Sequence, residues 1–308
     1  MSAAGPSQGA NCSPLGGSAA APAASVGVHT VMTPEEVERG YNNRAAVPDH
    51  PQWFAKYAQW SAAARDRYRP VRDLRYGPGP LETLDLFVPA GTPRGTFVFI
   101  HGGYWRALDK DDFAFVAAPF VEQGIAFANV NYDLCPAVSI AAIVDECRRA
   151  VAWTVREGPK HGAAADNVVV GGHSAGGHLA AMMNVTDWSA FGFAAEPFRA
   201  GITLSGVHDL APLVRFSFNA DFRLDDAEAL RMSPVAQPLR APRPLLMACG
   251  GAETSEFLRQ TQLLWDAWPQ VRRPGAAPLF VPGADHFSVV AEYTNVESAL
   301  TRATLGLF

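Results

Sequence analysis

A chain of 308 residues with a formal net charge of -5, 48% hydrophobic and 18% charged residues is long for one domain and ordinary for a large α/β fold. That balance excludes a fibre and a fully disordered chain, and with no basic stripe it gives no electrostatic support to binding nucleic acid or an anionic membrane surface. The four cysteines, Cys12, Cys135, Cys147 and Cys249, form neither a CxxC pair nor a zinc-like spacing, which predicts buried thiols in a reducing compartment rather than a disulfide framework.

Residues 1–30 are rich in Ala, Gly, Ser and Pro, contain no Lys or Arg, and lack the apolar core of a secretory signal. They predict a flexible N-terminal tail ahead of a single α/β domain over residues 31–308, and a cytoplasmic protein. No apolar run has the length needed to span a bilayer. Thr33 and Pro34 then read as a helix cap and first helical residue, opening an N-terminal helical region. Trp53, Phe54, Tyr57 and Trp60 follow at near-helical spacing; packing against the body is the favoured reading of that stripe, and lining a substrate pocket the other.

From residue 84 onward, short apolar runs alternate with helical patterns. The runs are LDLFV, TFVFI, IAFANVN, NVVVG, GITLS, PLLMAC and APLFV, and the helical stretches lie near 111–123, 138–157, 175–186, 255–268 and 288–305. Strands apolar on both faces, alternating with helices, predict a mostly parallel, doubly wound sheet covered on both sides. The proline-rich segment from about 207 to 243 reads as an excursion between two strands rather than a second domain.

In such a sheet chemistry collects at the carboxyl ends of the strands. There, NVVVGGHSAGGHLAAMM carries Gly172-His173-Ser174-Ala175-Gly176, a G-x-S-x-G pattern between a strand and a helix. Small flanking residues allow a tight elbow that lifts the Ser174 hydroxyl out of the sheet. A second element follows TFVFI, where His101-Gly102-Gly103-Tyr104-Trp105 can aim backbone amides at a developing oxyanion. Gly103 and Tyr104 are the expected donors, with Gly102 shaping the loop and Ala175 adding the amide after the serine. Tyr104 and Trp105 could also wall the acyl side of a substrate pocket, with core packing as the competing reading for Trp105.

A serine needs an imidazole to take and return its proton. His286, in LFVPGADHFSVV between the last strand and the final helix, is placed for that role, while His101, His173 and His178 read as structural. An acid must orient the imidazole, and Glu253 and Glu256 in GGAETSEFLRQ compete for this. Glu253 falls on the loop, whereas Glu256 near a helix start has a simple dipole explanation. Asp285 beside the histidine is a third candidate. No HExxH or carboxylate cluster calls for a metal, and the chemistry needs no organic cofactor.

With HGGYW, GGHSAGGHLAA, GVHDLAPLV, GGAETSEFLRQ and GADHF in this order over about two thirds of the chain, the sequence resembles the α/β-hydrolases of the kynurenine formamidase (arylformamidase) type and their esterase relatives. The resemblance implies an α/β-hydrolase fold with chain order serine, acid, histidine. In that family the acid is usually Asp; the matching position here is Glu253, which keeps the carboxylate and adds a methylene. Where the family commonly has Asp or Glu after its HF pair, Ser288 follows Phe287 here.

The implied activity is cleavage of an aryl formamide such as N-formylkynurenine through an acyl-enzyme. The residues alone imply only acyl transfer to water through Ser174, which a short-acyl carboxylesterase would share. A non-catalytic binding protein on the same fold is disfavoured by the intact Ser174, acid and His286. The expected partner is a small-molecule amide or ester, with no nucleic acid and no membrane; the sequence allows a homodimer without requiring one.

Overall fold

The computed structural model describes Met1, residues 32–240 and residues 242–308. Apart from Met1, the tail expected over residues 1–30, with Cys12, lies outside the described residues. Of the other cysteines, Cys135, Cys147 and Cys249 are free and buried.

Eight strands form one sheet: β1 (Val71–Arg75), β2 (Thr83–Phe87), β3 (Thr96–Ile100), β4 (Ala126–Val130), β5 (Val168–His173), β6 (Ala200–Leu204), β7 (Leu245–Gly250) and β8 (Leu279–Val281). Their spatial order is β1-β2-β4-β3-β5-β6-β7-β8. The pairs β1-β2 and β2-β4 are antiparallel and the remaining pairs are parallel. The seven apolar runs of the sequence correspond to β2–β8. Strand β1, with sequence VRDLR, was not expected: it is a largely exposed edge strand, and polar side chains hide an edge from any search for apolar runs. Strands β2 to β6 are buried along their whole length, as a sheet covered on both faces requires.

One apolar layer packs the helices Ile140–Arg156, Ala175–Met182 and Ser255–Ala267, together with Val37 and Tyr41 of the helix Pro34–Tyr41. The opposite layer holds Tyr57 of the helix His50–Tyr68, the segment Phe113–Val121 and the C-terminal Val289–Leu307 segment. Thr33 caps the first helix as expected, its hydroxyl accepting from Glu36 N and its own amide donating to the Glu36 carboxylate. The predicted helix 111–123 is instead two 3₁₀ turns followed by the short helix Ala117–Glu122, and the one expected over 288–305 is broken into Ser288–Ala291, a 3₁₀ turn and Ala299–Leu305. In both places the apolar spacing records one buried face, which a chain of short turns presents as well as a continuous helix does.

Between β6 and β7 the described residues form short helical turns joined by loops, and this excursion carries Phe216, Phe218 and Phe222. All three rings pack on Tyr104, at centroid separations of 5.4, 5.7 and 6.2 Å. The excursion therefore bears on the loop that follows β3.

The sheet is tightest where β3 passes the β5–helix turn. A Cβ at Gly176 would come within 1.9 Å of the Ile100 carbonyl oxygen, and one at Gly172 within 2.3 Å of the Gly176 oxygen. Neither neighbour is a flexible side chain that could move aside. Gly176→Ala is expected to cost about 1–3 kcal/mol of stability or to prevent folding. Gly275→Ala, in a surface turn at φ +71° with nothing within 4 Å, should cost less. Thermal denaturation of the two variants checks this ordering, and an unchanged Tm for Gly176→Ala would show that the crossing has slack.

Candidate active site

Ser174 sits between β5 and the helix Ala175–Met182 with φ 57° and ψ -118°, a backbone conformation that side-chain-bearing residues rarely adopt. Its amide donates to the Leu204 carbonyl at 2.8 Å, so the end of β6 holds the elbow in place. Strain at this residue, supported by glycines on both sides, is what the G-x-S-x-G spacing predicts.

The Ser174 hydroxyl lies 3.0 Å from His286 Nε2, and His286 Nδ1 lies 2.6 Å from Glu253 Oε2. A carboxylate accepting at Nδ1 fixes the proton there and leaves Nε2 free to accept from the serine. The Glu253 side chain is fully buried. Burial by itself pushes its pKa up, but the His286 imidazole and hydrogen bonds from His286, Ser205 and Gly250 N outweigh this and hold it below the ordinary glutamate value. The second carboxylate oxygen accepts from Ser205 Oγ at 2.5 Å, from Gly250 N at 2.9 Å and from Cys249 Sγ at 3.3 Å.

The other two acid candidates are engaged elsewhere. Glu256, in the helix Ser255–Ala267, accepts from Tyr41 Oη at 2.9 Å and pairs with Arg259 at 2.8 Å. Asp285 accepts from the amides of Phe287 and Ser288 at 2.8 and 2.7 Å, closing its own turn. Ser288 Oγ in return accepts from Asp285 N at 2.7 Å, so the residue that departs from the family pattern shapes the loop that carries His286.

After β3 the chain runs through three successive residues at positive φ: Gly103 at 117°, Tyr104 at 52° and Trp105 at 53°. A Cβ at Gly103 would meet the Ala107 carbonyl oxygen at 1.9 Å, which explains the glycine. Three successive residues at positive φ turn the chain sharply at the end of β3. Among the described residues the amides of Gly103 and Tyr104 donate to no backbone carbonyl. Ala175, the first residue of its helix, leaves its N–H outside the intrahelical ladder. Gly102 lies against the elbow, where a Cβ would approach His173 O at 2.9 Å and Ser174 Cβ at 3.1 Å. His101 donates from Nδ1 to the Gly102 carbonyl at 2.7 Å and stacks on Tyr132 at 4.2 Å, holding the loop from behind.

These residues open into a cleft of about 520 Å³, part of it open to solvent, shared by Gly102, Gly103, Tyr104, Ser174 and His286. Phe54, Tyr57, Phe113, Phe218 and Phe287 give it aromatic walls, and Asn43, Arg44 and Arg106 add a polar one. The aromatic stripe of the N-terminal region thus does both things weighed for it: Tyr57 stacks on Phe115 at 5.0 Å, and Phe54 and Tyr57 also line the cleft. Trp105 corrects the expectation of a substrate wall. It is fully buried, its indole donates to His178 Nδ1 at 3.2 Å and packs on Phe222 at 5.5 Å, and it lies behind the cleft rather than along it.

Four contributors were not assigned to the site from the sequence. Ser205, at φ 52° just past β6, braces the carboxylate of Glu253. His173 donates from Nε2 to the His286 carbonyl at 2.9 Å; its pKa is pushed down to about 3, by burial first and then by the adjacent His286 imidazole, so it stays neutral. Asn43 and Arg44 line the cleft from a segment 130 positions before the serine. Only the GGHS and LSG neighbourhoods could have hinted at the first two. Among the described residues no group of His, Cys, Asp and Glu is arranged to hold a metal ion, and no helix is long and apolar enough to cross a membrane.

Comparison with known proteins adds the following likenesses. The BD-FAE family model matches residues 84–215. Kynurenine formamidase of Salmo salar is 28% identical over 249 residues, covering 79% of this chain and 83% of that protein. A crystal structure from Silicibacter sp. tm1040, provisionally described as a thioesterase, is 33% identical with a TM-score of 0.78, covering 87% of this chain and 98% of that one. Esterase B of Lactobacillus rhamnosis, at 21% identity, TM-score 0.62 and coverage of 82% and 91%, shares the fold. Taken with the elbow, the sheet order and the cleft, these likenesses place the chain among the α/β-hydrolases of the kynurenine formamidase and esterase type, as a hydrolase.

Proposed function

We propose that this hydrolase works through Ser174 as nucleophile, His286 as base and acid, and Glu253 as the group that orients His286, and that it removes a small acyl group from an aryl amide of the N-formylkynurenine kind. The observation that carries the reading is the continuous hydrogen-bonded run from Glu253 Oε2 through His286 to Ser174 Oγ, ending in a cleft with aromatic walls. The aryl formamide as substrate rests on the likeness to kynurenine formamidase and on the walls suited to a flat ring. Arg44 lines the same cleft and pairs with no carboxylate among the described residues, which suits a leaving group that carries one.

In this mechanism the Ser174 oxygen attacks the formyl carbon while His286 Nε2 takes its proton. The amides of Gly103, Tyr104 and Ala175 stabilise the resulting oxyanion. His286 then gives the proton to the anilide nitrogen, the C–N bond breaks, and the arylamine leaves a formyl-enzyme. Water attacks that ester with His286 again as base, and collapse returns the proton to Ser174 and releases formate.

Parallel kcat/KM measurements on N-formylkynurenine and on p-nitrophenyl acetate, butyrate and octanoate test the substrate class. The formamide is expected to lead, and among the esters the value should fall as the acyl chain lengthens, because Tyr104 closes the cleft beside the nucleophile. A steady rise from acetyl to octanoyl would instead make the chain a longer-acyl esterase.

Ser174→Ala should abolish turnover with an unchanged circular dichroism spectrum; retention of more than a few per cent of kcat would remove Ser174 from the role. Glu253→Gln keeps the shape but favours the wrong imidazole tautomer and withdraws the charge facing the imidazolium, so kcat should drop by about 10²–10⁴. Glu256→Gln should leave kcat within about threefold and cost a little stability through Tyr41 and Arg259. Glu253→Asp should be partly active, since the shorter side chain falls short of a histidine set for Glu. Loss of activity in Glu256→Gln with a normal Glu253→Gln enzyme would move the acid along the loop.

A further inference from the structure

The cleft has a polar wall that the acyl-transfer steps do not use. Asn43 opens the short helical turn Asn43–Ala46 and lines the cleft, yet its side chain is almost wholly buried, and neither its Oδ1 nor its Nδ2 has a hydrogen-bond partner. A buried carboxamide with both ends unsatisfied is destabilising, and such groups in a folded protein are ordinarily paired.

The turn holding Asn43 is pinned on both sides. Asn42 Oδ1 accepts from Ala45 N at 3.0 Å and its amide nitrogen donates to Glu38 at 2.6 Å; the Asn43 carbonyl accepts from Val47 N at 2.9 Å. Tyr104, itself at the oxyanion loop, donates its hydroxyl to the Tyr41 carbonyl two residues before Asn43. The unpaired amide is thereby fixed relative to the nucleophile's end of the cleft.

We propose that Asn43 is a specificity-determining residue that hydrogen-bonds the leaving group of an amide substrate, a proposal that deepens the reading above and rests on it. A carboxamide has one acceptor and two donors. An aryl formamide with a neighbouring carbonyl supplies the matching pair: its N–H can donate to Asn43 Oδ1, and its ring-borne carbonyl can accept from Asn43 Nδ2. A phenyl ester has no donor at the scissile position, so Oδ1 stays unpaired when an ester binds. A site built around a hydrogen bond discriminates strongly against a ligand that cannot make it. Asn43 therefore favours amide over ester without touching the serine, the histidine or the acid.

The test uses Asn43→Leu, close in shape and apolar, Asn43→Asp, which keeps an acceptor and loses the donors, and Asn43→Ala. For each, kcat/KM is measured on N-formylkynurenine and on p-nitrophenyl acetate, along with Tm and the rate of labelling by a fluorophosphonate. Asn43→Leu should lose about 10- to 100-fold on the formamide and change within about threefold on the ester, with Tm unchanged or raised because two unpaired polar ends are gone. Asn43→Asp should fall between it and the parent. If Asn43→Leu fails to fold, Asn43→Ala decides by the same ratio.

Equal losses on both substrates, or a formamide value that does not move, overturn the proposal. A lowered Tm with parallel losses would show a purely structural residue. Should the parent enzyme cleave the ester and leave the formamide untouched, the functional reading fails and this proposal with it; a parent active on the formamide whose substrate ratio is unmoved by substitution overturns this proposal alone.

Discussion

A buried carboxylate constrains the arrangement of this site more than any other single group. Glu253 has no access to water through its side chain, and an ion so placed is tolerated only when both oxygens are occupied by donors. One oxygen takes His286; the other takes Ser205, Gly250 N and Cys249. Those donors come from the ends of β6 and β7 and from the loop after β8. The carboxylate can be ionised at this depth only if three neighbouring strand ends finish in register. Gly250 also has to be a glycine, since a Cβ there would stand 2.4 Å from the Ala284 carbonyl oxygen in the loop that leads to His286.

The same strand ends position Ser174, the proposed nucleophile. Ser174 N donates to Leu204 O, and the next residue, Ser205, donates from its hydroxyl to Glu253. The serine and the acid are thus referred to one point on β6, which sets their separation through a single peptide rather than through two independent loops. His286 is tied to β5 by the hydrogen bond from His173 Nε2 to its carbonyl, and because burial keeps His173 neutral that bond does not add a positive charge beside the His286 imidazole. Each member of the Glu253–His286–Ser174 run is held by backbone contacts as well as by its neighbour in the run, the preorganisation that the proposed mechanism needs.

What the sequence made legible follows from how local each constraint is. The parallel strands and the elbow could be read because an apolar strand, two glycines and a serine must be consecutive for the turn to form. Glu253 could be preferred over Glu256 because a loop position and a helical position three residues apart have different physical uses, and the two do make different contacts. Strand β1 could not be read, since an edge strand needs no apolar face. Trp105 was ambiguous because a glycine-rich loop beside a site can turn its next side chain inward or outward, and that choice depends on His178 and Phe222, which are distant in sequence. The cleft walls were the least legible: Phe54, Asn43 and Phe218 come from segments whose local pattern records only helix or turn.

The stretch from Glu253 to Gln260 joins these two kinds of information. Glu253 faces His286, while three residues later Glu256 accepts from Tyr41 Oη. Gln260, one turn further, donates to the same hydroxyl at 2.8 Å and accepts from the amides of His208 and Asp209. Thr254 adds a hydrogen bond to the Gly40 carbonyl, and Tyr41 in turn accepts from Tyr104 through its own carbonyl. Helix periodicity puts Glu256 and Gln260 on one face and leaves Glu253 before the first turn, pointing the other way. A single loop-to-helix transition thereby fixes the acid on one side and, on the other, the N-terminal segment whose next residues close the cleft. Displacing Tyr41 would move the wall carrying Asn43 and Arg44 and would reach the loop after β3 through Tyr104, so that wall and the Glu253 loop are mechanically one unit even though Tyr41 and Glu253 lie more than 200 positions apart in the chain.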